Sequence, residues 1–177
     1  MKVRLHKSDD DLQQILHLQK RNHKDFITPK QAEKEGYVTV RHSLESLKAI
    51  CGNDGHVIAM DGGHVIGYAL TMHSYYADHI PVLQEMMDQI RTLIGDIEFL
   101  IVGQLCVDIN WRGKGVVAVM YDHMKNMFGD AYPGIYTEIA LDNPRSMRSH
   151  IKCGFQVMKS YHNQNGKQWN IVYCNWT

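Results

Sequence analysis

"NWRGKGVVAVM", residues 110–120, sets two glycines and two cations side by side as Arg112-Gly113-Lys114-Gly115. The run before it, "IEFLIVGQLCVDI", reads as a strand apolar on both faces, as a central strand is. The run after it, "VVAVMYDHMKNMF", reads as a helix. A strand that ends in a glycine turn and enters a helix leaves backbone N–H groups unpaired at the helix start, where the helix dipole adds positive charge. That combination suits phosphate. Glycine lets an anion approach closely, and Arg112 and Lys114 can add charge at the rim. A Walker loop needs Ser or Thr after GxxxxGK, which is absent, and a dinucleotide fingerprint would need a third glycine where Ala118 stands. The bland alternative is a tight turn with solvated cations.

Outward from the turn, the periodicity alternates between strand and helix. "KVRLH" reads as a strand, and "SDDDLQQILHLQKRN" as a helix opened by Ser8 and Asp11 in capping-box spacing. "TPKQAEKEG" and "SLESLKAICG" read as short helices, with Pro29 near the start of one and Ser43 capping the other. "HVIAM" and "HVIGYALTMH" form a hairpin through Asp61-Gly62-Gly63, and "IPVLQEMMDQIRTLI" is helical. Beyond the turn come a strand "GIYTEIAL", a helix "NPRSMRSHIKCG" and a hairpin around Asn165-Gly166. This order predicts one mixed α/β (α+β) domain over residues 1–177, with six to seven strands flanked by helices.

Bulk properties narrow the function. The 177 residues carry 19 basic and 19 acidic side chains, which argues against a general attraction to nucleic acid or membrane. Cys51, Cys106, Cys153 and Cys174 form no CxxC pair and read as buried thiols of a reducing compartment. No apolar signal region opens the chain and no run is long enough to span a bilayer, so a cytoplasmic location is expected. The 11 histidines show no HExxH and no helical ligand spacing, so no metal is expected.

Arg112-Gly113-Lys114-Gly115-Val116-Val117 after "LCVDINW" resembles motif A of the GNAT acetyltransferase superfamily, (Gln/Arg)-x-x-Gly-x-(Gly/Ala). "EIALDNPRSMRSHIKCGF" resembles that superfamily's next strand and helix, with Glu138, Asn143, Ser146 and Lys152-Cys153-Gly154-Phe155 in the matching places. The two motifs are in the right order and span about residues 98–161. Two positions depart from the pattern. Val117 stands where Gly or Ala is usual, and His150 stands where the family usually has a Tyr that protonates the departing thiolate.

The resemblance implies a mixed sheet with a central splayed parallel strand pair, and acetyl transfer from acetyl-CoA to a primary amine by direct attack. The N–H groups of residues 112–117, Val116 among them, would hold the pyrophosphate, and the strand backbone at Leu105, Cys106 and Val107 the pantetheine arm. Asn143 and Ser146 would contact the other end of that arm. An alkyl ammonium has a pKa of ~10.4, so a base must remove a proton near neutral pH. Glu138 is the first candidate and Glu98, opening the central strand on the face of Gln104, the second. A carboxylate in mid-strand is either used or ion-paired. His150 would act as the acid if protonated, with Tyr161 as the fallback donor. Tyr37, Thr39 and Tyr75 are candidates for the amine pocket, or ordinary loop packing.

The expected partners are therefore acetyl-CoA and an amine acceptor, a small molecule or a peptide, with no nucleic acid and no membrane. A monomer or homodimer is expected. A non-catalytic CoA-binding module on the same fold is the main alternative, which Val117 and the missing Tyr favour. An ATP enzyme lacks the Walker Ser/Thr, and a nucleic-acid binder lacks a basic stripe.

Overall fold

The computed structural model describes residues 1–52, 54–78 and 80–177. Among the described residues, seven strands form one sheet: β1 (Lys2–Leu5), β2 (Val57–Asp61), β3 (His64–His73), β4 (Leu100–Val107), β5 (Gly134–Ala140), β6 (Gln156–His162) and β7 (Gln168–Asn175). Their order across the sheet is β1-β2-β3-β4-β5-β7-β6, antiparallel throughout except for the parallel β4–β5 pair.

Helices cover both faces. α1 (Asp9–Asn22), α2 (Pro29–Glu35), α3 (Leu44–Ile50), α4 (Ser74–Ala77), α5 (Gln84–Ile94), α6 (Val116–Phe128) and α7 (Pro144–Lys152) follow in chain order. Leu12, Ile15 and Leu18 of α1, Leu47 of α3 and Met86, Met87 and Ile90 of α5 bury one face of the sheet against Ile58, Tyr68, Leu70 and Ile101. Val116, Met120, Tyr121 and Met124 of α6 bury the other face against Val57, Ala69, Leu100 and Ile135. Alternation along β5 follows from this, with Ile135 and Ile139 under α6 and Tyr136 and Glu138 on the opposite face.

Local chemistry accounts for the helix starts. The side chain of Ser8 caps α1, Thr28 and Gln31 close a reciprocal capping box on α2, and Ser43 and Ser46 do the same on α3. Asp11 also takes two N–H bonds from Arg4, both 2.8 Å, which tie α1 to β1. That partner holds the Asp11 carboxyl down at about 2.

Two sequence expectations shift, and two short elements appear that the sequence did not announce. The central strand starts at Leu100 rather than Ile97, and Ile97 and Glu98 are exposed ahead of it. The predicted helix 80–94 opens with a 3₁₀ turn, Pro81–Leu83, before α5. α4 and the 3₁₀ turn Lys24–Phe26 follow no periodicity, being shorter than the pattern needs to declare itself.

Candidate functional site

The site begins where β4 and β5 part. They pair only at Leu100↔Ile135 and Ile101↔Tyr136, then splay. The hydroxyl of Thr137 donates to the Val102 carbonyl at 2.7 Å and satisfies the first acceptor the splay would orphan. Opposite β3, the register jumps by one residue between Leu70 and Thr71, which leaves Gly103 as a bulge in β4. The Asp108 N–H donates to the Ile66 carbonyl at 2.8 Å, making that a hydrogen-bonded pair. By alternation, Cys106 faces β3, while the backbones of Leu105 and Val107 face the splay. The Val107 carbonyl accepts from Arg112 Nε at 3.0 Å, whereas among the described residues no strand pairs with Leu105 on the splay side.

One arm of the splay leads to a cleft of about 430 Å³ at the start of α6. Gly113 and Gly115 line it with φ of +73° and +78°, conformations an L side chain resists. Gly115 caps α6 without a side-chain bond, so the first N–H groups of the helix stay open to the cleft. Val116 is buried against Gly67, and Val117, half-buried, borders the cleft with its branched side chain. On the far wall, Asn143 caps α7 by accepting from the Ser146 N–H at 3.2 Å and donates to the Tyr37 carbonyl at 3.1 Å.

The rim cations behave differently from expectation. Arg112 turns inward, donating to the Glu35 carbonyl at 2.8 Å and to the Asn22 side chain, so it ties α1 and α2 to the end of β4. Lys114 lies over the Trp111 ring at 4.9 Å and is not part of the cleft wall. Arg112 still lines the cleft, and further positive charge comes from α7, where Arg145, Arg148 and Lys152 line it too. Their i, i+3, i+7 spacing puts them on one helical face, a signal that was available in the sequence.

A second cleft of about 380 Å³ opens on the other side of the splay. Both clefts share Tyr37, Val38, Leu105, Asn143, Ser146 and His150, so they meet at these residues. Glu138 projects into the second cleft from β5 and accepts a hydrogen bond from the Tyr161 hydroxyl. Burial pushes its carboxyl up to about 7, against the opposing pull of Tyr161. Tyr161 itself is raised above its ordinary value, first by burial and then by the Glu138 charge, and keeps its proton.

His150 corrects an expectation. It is buried, edge-on to Tyr121 and Phe155, and its Nδ1 lies 2.8 Å from the Ser146 carbonyl. An imidazole N beside a carbonyl must carry the proton, which leaves Nε2 as an acceptor. Burial pushes the ring down to about 4, so near pH 7 it is neutral and has no second proton to donate.

The remaining candidates divide. Thr39 lines the second cleft, and its carbonyl accepts from His23 at 2.8 Å. Tyr37 donates to Asp142 and accepts from Lys167 at 3.2 Å, bracing the wall between the clefts. Tyr75 and Glu98 lie at the opposite end of β4 from Leu105, exposed and outside both clefts. Glu98 misses the site because it lies seven residues before Leu105, roughly 20 Å away along an extended chain. Gln104 bonds to Gln19 at 2.9 Å, Tyr68 at 2.6 Å and the Val40 carbonyl at 2.9 Å, which fixes the 37–43 segment over the sheet. Thr137 and Gly103, the wedge and the bulge, carried no recognisable spacing. Among the described residues, no His, Cys, Asp and Glu group is placed to hold a metal, and no helix is long and apolar enough to cross a membrane.

No curated protein sequence matches the chain. Solved structures share its fold at low identity. The ribosomal-protein-S18-alanine N-acetyltransferase of Escherichia coli superposes with a TM-score of 0.65 at 11% identity, covering 99% of this chain and 94% of that one. Arabidopsis thaliana NAA60 in complex with acetyl-CoA gives 0.68 at 12% identity, covering 98% of each chain. The smu.2055 protein of Streptococcus mutans gives 0.69 at 15%, covering both chains fully. The model of the acetyltransferase (GNAT) family matches residues 12–155, the span that holds the splay, the glycine turn and α7. The chain belongs to the GNAT acetyltransferase family.

Proposed function

We propose that residues 1–177 act as one domain that transfers an acetyl group from acetyl-CoA to a primary amine by direct attack. The observation that carries this reading is the meeting of two clefts at Leu105 and His150, one beginning at an open helix N-terminus and the other holding a carboxyl near neutrality. The first cleft fits the cosubstrate: a Cβ built on Gly113 or Gly115 meets nothing within 4 Å, and the α6 N–H groups are open. Those N–H groups, with Arg145, Arg148 and Lys152, would hold its phosphates, and the splay side of Leu105 its amide arm. When bound, it supplies an activated acetyl thioester.

Glu138 takes the proton that the acceptor ammonium must lose, directly or through one water. Only about one alkyl amine in a thousand is neutral at pH 7, so this base sets the concentration of attacking nucleophile. A carboxyl near 7 is matched to the task, because it is half ionised at the working pH. A backbone N–H of β4 beside the splay would stabilise negative charge on the acetyl oxygen. His150 shapes the junction as a neutral hydrogen-bond acceptor. The thiolate can leave unprotonated, since its thiol has a pKa of ~8.5. Cys106, pushed up to about 12 by burial, and Cys153, also raised by burial, offer no ready thiolate for a covalent acetyl carrier. That favours direct attack.

A thermal-shift titration with acetyl-CoA, CoA and ATP side by side tests the first cleft. Stabilisation by both CoA species and not by ATP is expected, followed by thiol release in an amine screen. No shift with any of the three would remove the reading. Stabilisation by CoA with no thiol release from any amine would select a non-catalytic CoA-binding module, the reading that Val117 at the cleft wall favours.

A further inference from the structure

The two clefts carry opposite charge. Arg112, Arg145, Arg148 and Lys152 line the first, against one carboxylate, Glu35. Glu85 and Glu138 line the second, and among the described residues no lysine or arginine joins them there. His150, buried where the clefts meet, is neutral near pH 7, and its Nε2 accepts from no described residue. Glu85 opens α5 and is half-buried. It accepts from the Gln164 N–H at 2.8 Å, and among the described residues no cation pairs with it. The Lys167 charge reaches Glu138, but Lys167 is itself taken by Asp142 at 3.3 Å and lies over the Trp169 ring at 5.0 Å. Burial is the main cause that raises the Glu138 carboxyl, and the Glu85 charge adds to it, so the two carboxyl groups share one field. Apolar surface completes the lining: Pro81, Val82 and Leu83 just before Glu85, and the rings of Tyr161 and Trp169. Val82 is 55% exposed, a branched side chain left open at the cleft wall.

We propose that the acceptor is an aliphatic diamine, whose far ammonium pairs with Glu85 while the reacting amine meets Glu138. This rests on the acetyl-transfer reading for which cleft receives the acceptor. A cleft that offers two carboxyl groups and an imidazole acceptor, with no cation of its own, draws groups that only donate, and an ammonium is such a group. Glu138 takes the proton that the reacting nitrogen must lose. Glu85 has no part in that transfer, so it can hold the far ammonium from binding to release. A methylene chain suits the Pro81–Leu83 wall, and an ammonium is also attracted to the face of an aromatic ring. A monoamine leaves Glu85 with nothing to pair.

Isothermal titration of the protein in saturating CoA tests this with straight-chain diamines, from propanediamine to octanediamine. Each is run beside the amino alcohol of the same length, which swaps one ammonium for a hydroxyl. The best-fitting diamine should bind about tenfold more tightly than its amino alcohol, the size of one charge-assisted hydrogen bond, and the gap should narrow at high salt. Glu85→Gln keeps an oxygen for the Gln164 N–H and should bring that diamine down to the affinity of its amino alcohol, with the melting transition confirming the fold. Diamines that bind no better than their amino alcohols at any length overturn the proposal, as does a preference that survives Glu85→Gln. Thiol release with the amino alcohols would in that case leave the transfer reading in place. A Glu85-dependent preference without thiol release would leave the diamine site standing and remove the transfer reading instead.

Discussion

Glu138→Gln should make the protein slower and more stable at once, and both effects follow from one buried carboxyl. Burial raises its proton affinity from the ordinary 4.5 to about 7. At about 1.4 kcal/mol for each tenfold change in proton affinity, that is roughly 3 kcal/mol. The sign follows from linkage. Below pH 4.5 the folded and unfolded chains both hold the proton and nothing is lost. As the pH rises, the unfolded carboxyl ionises first, and stability declines until the pH passes about 7. Glutamine carries no charge to desolvate and still offers an oxygen to the Tyr161 hydroxyl. The variant should therefore melt with the unaltered protein at pH 4.5 and about 6–10 °C above it at pH 8, as calorimetry would show. Its kcat/KM at pH 7 should fall by about 10²–10⁴, the range of general-base catalysis, and lose the limb near pH 7. The deficit should shrink at high pH, where the amine deprotonates unaided. A variant that keeps that limb, or whose stability gain does not grow with pH, would refute the buried-base reasoning.

Other substitutions probe the neighbouring parts. His56 and His150 are held at about 4 by burial against an ordinary 6.5, so each should withdraw roughly 3 kcal/mol of stability as the pH falls from 6.5 to 4. His150→Phe should roughly halve that acid loss in a pH series of denaturant melts, and it should remove no limb of the rate profile near neutrality. Arg112→Met breaks bonds to the Val107 and Glu35 carbonyls and should destabilise the fold by about 2–4 kcal/mol. Lys114→Met, losing only a contact over Trp111, should stay within about 0.5 kcal/mol in the same melts. Arg148→Ala should weaken CoA binding several-fold, with a smaller deficit at high salt, as titration calorimetry at two ionic strengths would read. Thr137→Val leaves the Val102 carbonyl unsatisfied where the splay begins and should cost about 1–3 kcal/mol by denaturant melting.

The sequence by itself determined most of the elements and the anion turn. Ser8, Thr28 and Ser43 mark helix starts through chemistry that acts within four residues, and Asp61-Gly62-Gly63 and Asn165-Gly166 mark hairpins in the same way. Gly113 and Gly115 were legible because a strand-to-helix turn with positive φ has few residues to choose from. Only the tertiary structure decided what the side chains around that turn do. Arg112 looks like a rim cation until α1 and α2 fold beside it and present Asn22 and Glu35. His150 looks like an acid until Tyr121 and Phe155 close over it and remove the water a charged ring would need. The splay depends on a Thr137 hydroxyl taking a carbonyl 35 residues away, and on a bulge whose register only the β3 ladder reveals. Local rules fix local geometry. Charge, burial and open strand edges depend on what distant segments bring together, and that is settled only when the sheet forms.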